Sequence, residues 1–267
     1  MTRRRLDAEL VRRGLARSRE QASQLVSDGR VKVGGVVASK SATQVDLAAA
    51  VTVTADSEDP GYVSRGAHKL RGALDVFGPQ GLDIADRRCL DAGASTGGFT
   101  DVLLRAGATE VVAVDVGYGQ LAWSLQKDSR VTVLDRTNVR TLTLGLVGSP
   151  VDVVVADLSF ISLSLVLRSL VEVTVPGGDL VLMVKPQFEV GKDRLGEGGV
   201  VRDPVLRAGS VRKIGDRAAD LGLGVRGVTA SPLPGPAGNV EYFLWLRAGA
   251  PPLQEAELHE AVAKGPK

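Results

Sequence analysis

The sequence predicts an α/β fold, a doubly wound and mostly parallel sheet, preceded by a small basic α+β module. Three observations carry that reading. Residues 88–115, RCLDAGASTGGFTDVLLRAGATEVVAVD, read as strand, glycine-rich turn, helix and second strand within one short unit. Beyond them the apolar runs VTVL, VDVVVAD, LVLMVK, LGVRGVT and VEYFLWLR are strand-like, and most are separated by helical patterns. Charge divides the chain as well: the first forty residues hold ten Lys or Arg against four acids, while the remainder is net negative.

In the N-terminal module, Leu6, Leu10 and Val11 share one helical face and Gly14 stops that helix. Ser18 with Gln21 forms a capping box for a second helix, whose buried side is Ala22, Leu25 and Val26. Gly29 ends it. Val31 and Val33, the pair Gly34-Gly35, then Val36 and Val37 read as a hairpin, and AVTVTAD adds a strand. Ser57, Glu58, Asp59, Pro60 and Gly61 have the composition of a boundary, so residues 1–60 form a first domain with its linker.

The second domain opens with YVSRGAHKL, where Leu70, Leu74 and Phe77 fall at helical spacing and Lys69, taken alone, reads as an exposed helix lysine. Gly93, Gly97 and Gly98 let the backbone turn tightly and approach a ligand, and Phe99, Val102 and Leu103 begin a helical face. Asp115 ends the next strand, about 20 residues on, where a nucleotide-type cofactor has its ribose hydroxyls bound. Ala94 and Ser95 after Gly93 depart from G-x-G-x-x-G, and no Gly-Lys-Ser/Thr follows, which weakens the dinucleotide and triphosphate readings.

Ligands of such sheets bind outside the carboxyl ends of the strands, which directs attention to Asp91, Asp115, Asp135, Asp157 and Lys185 at the ends of the apolar runs. A carboxylate and an ammonium on neighbouring strand ends suit removal of a proton from a weak nucleophile such as a hydroxyl. Asp135-Arg136-Thr137-Asn138 follows the third strand, and Glu189 to Val200, rich in glycine and carrying Lys192, reads as a lid.

Composition excludes several classes. Hydrophobic residues make up 44% and charged residues 24%, and no apolar run reaches the roughly 18 residues of a membrane helix. The segment MTRRRLDAEL has no apolar stretch behind its arginines, so neither a secretory signal nor a membrane anchor is expected, and the expected protein is soluble and cytoplasmic. Cys89 is the only cysteine, which rules out an internal disulfide and reads as a buried strand residue. His68 and His259 form no ligand-spaced pair, and no metal site is expected.

The stretch RLDAELVRRGLARSREQASQLVSDGRVKVGGVV resembles the small RNA-binding module shared by a ribosomal small-subunit protein, several pseudouridine synthases and tyrosyl-tRNA synthetases. The resemblance implies that Arg3, Arg4, Arg5, Arg17 and Arg19 contact RNA backbone, assisted by helix N-terminal amides near Ser18. DAGASTGGFT resembles the first motif of S-adenosylmethionine-dependent methyltransferases with a Rossmann-like class I sheet. Together with YVSRGAHKL, ADLSFIS, KPQFEVG and SPLPGPAGNVEYFLWL it is similar to the TlyA, or haemolysin A, family of rRNA cytidine 2′-O-methyltransferases, over Arg3 to about Arg247.

That resemblance implies a methyltransferase domain at 61–247 whose last strand runs antiparallel, bringing Glu241 to the same sheet edge. It assigns Lys69, Asp157, Lys185 and Glu241 to catalysis without metal, Lys185 being the base or main activator. S-adenosylmethionine would be bound by Gly93, Ala94, Ser95, Thr96, Gly97, Phe99, Thr100, Asp115, Asn138 and Asp157. Arg65, Arg136, Phe160 and Lys192 would contact RNA, Phe160 by stacking on the substrate base, and the partner would be ribosomal RNA or a ribosomal subunit, with no membrane involved. Residues 248–267 match nothing and are expected to be loosely ordered. Rival readings are methylation of a base nitrogen, for which Leu158-Ser159 stands where prolines belong; methylation of a pyrimidine carbon, for which Cys89 is poorly placed; and a non-catalytic RNA-binding or lytic protein.

Overall fold

A computed structural model describes residues 3–16, 19–27, 29–54, 61–235 and 237–266. Arg17, the Ser18 cap, boundary residues 57–60 and the side chain of Lys192 lie outside the described residues. The chain divides into two compact units, residues 1–61 and 62–267.

The first unit contains β1 (Arg3–Arg5), α1 (Leu6–Arg12), α2 (Arg19–Ser27), β2 (Val31–Val33), β3 (Val36–Val37), β4 (Gln44–Asp46) and β5 (Val51–Val53). Leu6, Leu10, Ala22, Leu25 and Val26 bury the apolar faces of both helices against Val31, Val45 and Val51. Gly34 and Gly35 have φ of +57° and +83°, the two positive values that a tight hairpin between β2 and β3 requires. Arg3, Arg4 and Arg5 precede the first helix as β1, antiparallel to β4 with Arg4 opposite Val45. The returning chain also satisfies the first amides of α1, since Leu6 N donates to Thr43 O at 2.8 Å and Asp7 N to Ser41 O at 3.0 Å.

Two buried carboxylates aim the surface arginines of this unit. Asp7 Oδ2 pairs with Arg5 at 2.8 Å and Arg19 at 3.1 Å, and Glu9 Oε1 with Arg12 at 2.6 Å and Arg13 at 2.7 Å. Hydrogen bonds from Arg12 and Arg13 draw the Glu9 pKa down to about 2, and the Arg5 guanidinium holds Asp7 well below the usual carboxylate range.

The second unit runs α3 (Gly66–Phe77), β6 (Arg88–Ala92), α4 (Gly98–Arg105), β7 (Glu110–Val114), α5 (Trp123–Gln126), β8 (Val131–Leu134), α6 (Leu144–Val147), β9 (Val151–Ala156), α7 (Leu167–Glu172), β10 (Thr174–Val184), α8 (Pro186–Glu189), α9 (Pro204–Ala219), β11 (Leu223–Ala230), β12 (Tyr242–Ala248) and α10 (Glu255–Lys264). Its seven strands are ordered β11-β12-β10-β9-β6-β7-β8, with β12 antiparallel to both neighbours. Both faces of the sheet are covered, which is why its central strands read as near-continuous apolar runs. Successive residues still alternate between layers: Val154 and Leu182 pack with α7 and α9, Val153 and Val181 with α3 and α4.

The tail beyond residue 247, expected to be loosely ordered, instead continues β12 to Ala248 and forms α10, which buries Leu258 and Ala261 against the sheet core. Its polar exterior hides a short apolar stripe from a reading by composition. Cys89 is buried within β6, as its apolar neighbours imply. No helix among the described residues is long and apolar enough to cross a membrane.

Because Glu9 titrates lower when folded than its ordinary 4.5, its stabilising contribution is complete above about pH 4.5 and is lost as pH falls toward about 2. Amide exchange of α1, corrected for intrinsic rates, should therefore lose protection across that window, and Glu9→Gln should be less protected at neutral pH yet show little of the fall. An unchanged acid profile in Glu9→Gln would assign the fall to Asp7 alone.

Candidate active site

The strand order reverses at β6, which leads to β7 on one side and has β9 on the other, so the crevice of the sheet opens at the carboxyl ends of β6 and β9. Gly93 stands there with φ +87°, and a Cβ on it would lie 2.6 Å from the backbone oxygen of Asp157. Only glycine fits that approach. Gly93 N and Ala94 N both donate to Val114 O, at 2.8 and 3.1 Å, tying the turn to β7. Asp115 accepts from Ser95 N at 2.8 Å on Oδ2 and from Gly117 N at 2.7 Å on Oδ1. Each of its oxygens keeps a further lone pair for a hydroxyl donor.

Not every residue assigned to cofactor binding lines this turn with its side chain. Phe99 is buried against Phe243, ring centroids 6.0 Å apart, and Thr100 is buried with Oγ1 donating to Asp91 Oδ2 at 2.7 Å. Thr96 contributes its carbonyl to Ala122 N at 3.1 Å, and Asn138 Oδ1 accepts from Arg140 N at 3.0 Å as the cap of a short turn. Asp91, expected at a strand end, lies inside β6 and is fully buried. The apolar run stops one residue later, at Ala92, because the strand must reach the turn. Burial pushes its pKa up to about 7, Asp157 adding to the rise against the Thr100 hydrogen bond. The remaining four of the expected strand-end groups do follow their strands: Asp115 after β7, Asp135 after β8, Asp157 after β9 and Lys185 after β10.

Two ion pairs stand at this edge. Lys185 Nζ lies 2.6 Å from Asp157 Oδ1 and donates to Ser159 Oγ at 2.9 Å. Lys69, buried rather than an exposed helix lysine, reaches from α3 to Glu241 Oε2 at 2.5 Å. Val184 pairs with Tyr242 across β10 and β12, so the next residue of one and the preceding residue of the other, Lys185 and Glu241, leave the sheet together. The Lys69, Glu241 and Lys185 side chains are only 8%, 1% and 9% exposed, whereas Asp157 keeps 22%, so the second pair is open on its carboxylate side.

Backbone strain gathers at the same edge. Of the four non-glycine residues with positive φ among the described residues, three are Ser95, Arg136 and Phe160, after β6, β8 and β9 respectively. Phe160 is 91% exposed with its ring 5.3 Å from Phe188, and the Arg136 guanidinium stacks 4.4 Å over Tyr118. Arg65 is exposed and donates to Pro234 O at 3.0 Å. The glycine-rich segment read as a lid is tied at its end by Asn239, which accepts from Val201 N at 2.9 Å and donates to Gly199 O at 3.0 Å. Ser159 and the clamping role of Glu189 were not legible in the sequence, since their partners arrive from other elements; Ser162 is 27 positions from Glu189 and Lys213 is 24. In the first unit, Arg3, Arg4, Arg5 and Arg19 are all exposed.

A doubly wound sheet with one antiparallel strand, a glycine turn at its switch point and charged pairs at its carboxyl edge defines a Rossmann-like methyltransferase. The family described as FtsJ-like methyltransferase matches residues 62–248 and the S4 domain family matches residues 4–51. The chain belongs to the FtsJ-like methyltransferases and, among them, to the TlyA family. It is 59% identical, over 98% of each chain, to the 16S/23S rRNA (cytidine-2′-O)-methyltransferase TlyA of Mycobacterium tuberculosis. It is 41% identical, over 91% of this chain and 85% of the other, to a candidate rRNA methyltransferase, YqxC, of Bacillus subtilis. A solved structure from Streptococcus thermophilus, described as a candidate hemolysin, is 36% identical and superposes with a TM-score of 0.77 over 99% of this chain and 96% of that one.

Replacing Gly93 tests the close approach at the switch point. Gly177 also has positive φ, +77°, but open space where a Cβ would go, so Gly177→Ala should lose about 1–2 kcal/mol from the backbone alone. Gly93→Ala should lose distinctly more, because the Asp157 carbonyl must also move. Both tryptophans, Trp123 and Trp245, lie in this unit, so denaturant unfolding followed by their fluorescence measures the difference. Equal losses would show the contact to be soft.

Proposed function

We propose that the protein methylates the 2′-oxygen of a cytidine ribose in ribosomal RNA, using S-adenosylmethionine. The observation that carries this reading is the Lys185–Asp157 pair, open on the Asp157 side at the carboxyl end of β9 and β10 beside the Gly93 turn, and backed by the buried Lys69–Glu241 pair. The turn suits the cofactor: the residue at its closest approach has no side chain, and Asp115 retains lone pairs to accept from ribose hydroxyls. When bound, S-adenosylmethionine supplies an electrophilic methyl on a sulfonium, which needs an in-line nucleophile. The peptide groups of Gly93 to Gly97, the Asp115 carboxylate and Asp157 would hold it.

A ribose hydroxyl is a weak nucleophile until its proton is removed. Lys185 takes that proton as the oxygen attacks only in its neutral amine form, its own extra proton having first passed to solvent, while Asp157 and Ser159 fix the direction of Nζ. Glu241 and Lys69 neutralise each other out of water and provide a fixed field against which the ribose is oriented. Phe160, held outward with φ +63°, offers a face for the target base, and Arg65, Arg136 and Lys192 are assigned to RNA phosphates. In the first unit Arg3, Arg4, Arg5, Arg17 and Arg19 engage RNA backbone. The domains are assigned as 1–60 for RNA binding with its linker and 61–247 for methyl transfer, and ribosomal RNA or an assembled subunit is the partner.

This charge arrangement favours ribose over base chemistry. Attack by a base nitrogen needs hydrogen-bond acceptors beside an aromatic clamp, whereas Leu158-Ser159 follows Asp157 here and Ser159 is occupied by Lys185.

Arginine at position 185 keeps the positive charge but does not give up a proton near neutrality. Lys185→Arg should therefore bind cofactor and RNA nearly as the parent does and lose methyl transfer by about 10²- to 10⁴-fold in single-turnover assays with radiolabelled cofactor. Transfer at the parental rate would leave Lys185 an electrostatic role only. Asp115→Ala should fold normally and weaken cofactor binding by about 1.5–3 kcal/mol, the range for a hydrogen bond to a charged group, in calorimetry; unchanged affinity would remove Asp115 from the cofactor site.

A further inference from the structure

We propose that Glu189 is a positioning residue for methyl transfer, holding the loop after β9, and with it Asp157 and Phe160, in register with Lys185. The inference rests on the reading of Lys185 and Asp157 as the reacting pair. It starts from a ladder of contacts between two segments. One is the loop leaving β9, residues 157–163; the other is Lys185 with α8, which follows it directly. Lys185 reaches Asp157 and Ser159, Phe188 packs on Phe160, and Glu189 closes the far end. Glu189 Oε2 accepts from Ser162 Oγ at 2.6 Å and Oε1 from Leu163 N at 2.7 Å.

A carboxylate is required at that rung. The Glu189 side chain is 1% exposed, and its charge is met by three donors from two directions, the third being Lys213 Nζ of α9 at 3.0 Å. The same Nζ also donates to the Glu189 carbonyl at 3.1 Å, fixing α8 against α9. Glu189 thus grips the loop with one side of its carboxylate and α9 with the other.

The loop needs such a grip. Its first residue is secured by Asp157 N donating to Ala92 O at 3.0 Å, and Phe160 three residues on is held at φ +63°, a conformation a bulky side chain keeps only when its surroundings impose it. Without the Ser162 and Leu163 anchors, relaxation at Phe160 shifts Asp157 and Ser159, and so the direction in which Lys185 Nζ points. A displacement of about 1 Å in a reacting group costs on the order of a hundredfold in rate. Glu189 touches no reactant and acts only through this loop and through α8 on Lys185, so its main effect belongs to the rate at saturation.

Three variants of the full chain separate this role from simple support of the fold. Glu189→Gln keeps the shape and loses the charge, Ser162→Ala removes only a loop contact, and Lys213→Met removes only the tie to α9. With saturating RNA and S-adenosylmethionine, Glu189→Gln and Ser162→Ala should each slow single-turnover transfer about tenfold to a hundredfold, with cofactor affinity and melting temperature near those of the parent. Their double variant should be little slower than the worse single, since both break one link. Lys213→Met should transfer at nearly the parental rate. Should Glu189→Gln fail to fold, Ser162→Ala against Lys213→Met decides. The proposal is overturned if Ser162→Ala transfers at the parental rate, if Lys213→Met is slowed as much as Ser162→Ala, or if any slowing only follows lost cofactor affinity. A parent enzyme that methylates a base nitrogen instead of ribose would overturn the reading of the Lys185–Asp157 pair, whereas ribose methylation unaffected by all three variants would overturn the role of Glu189 alone.

Discussion

Val184 and Tyr242 lie opposite each other where β10 and β12 pair, and the charges of the site follow from that register. Because β12 runs against its neighbours, its first residue is at the edge where the parallel strands end, and Glu241 emerges beside Lys185 from a position 56 residues away in sequence. A slip of one residue would turn every side chain of β12 to the other face, taking Phe243 and Trp245 out of one core layer and Tyr242 and Leu244 out of the other. The packing that prevents such a slip also holds Glu241 in place. Burying Lys69 with it is tolerable because each neutralises the other, and removing one partner of a buried pair costs about 3–5 kcal/mol.

The two ion pairs are not equivalent. Lys69 and Glu241 are both shut away from water, whereas in the second pair Lys185 is buried and Asp157, beside Ser159, keeps an opening. Positive φ at Ser95, Arg136 and Phe160 belongs to the same economy of the edge, since loops leaving adjacent parallel strands must diverge sharply to make a crevice. At Gly93 two of these loops approach to within one missing side chain.

The first unit solves a different problem, which is to hold many arginines close together. Four of them are paired around Asp7 and Glu9, and these carboxylates lie beneath the surface. Like charges are thereby spaced and oriented, with the guanidiniums of Arg5, Arg12 and Arg19 exposed and that of Arg13 tied to the carbonyls of Leu47 and Ala49.

By itself the sequence determined the succession of strands in the second unit, the glycine turn, and the strand-end positions of Asp115, Asp157 and Lys185, because hydrophobic period and turn chemistry are local properties that neighbours in the chain express. It likewise determined the two helices and the hairpin of the first unit, through Leu6, Leu10, the Val31 to Val37 alternation and Gly34-Gly35. Only the tertiary structure decided that Arg3–Arg5 form a strand, since what pairs them is β4, some forty residues on. The same is true of Asp91, drawn inside the sheet, of α10, whose stripe of Leu258 and Ala261 gains meaning only from the sheet it covers, and of Ser159 and Glu189, whose partners come from the residue after β10, from α9 and from the β9 loop. Burial and hydrogen-bond partners are set by elements far apart in the chain, and no local pattern can state them.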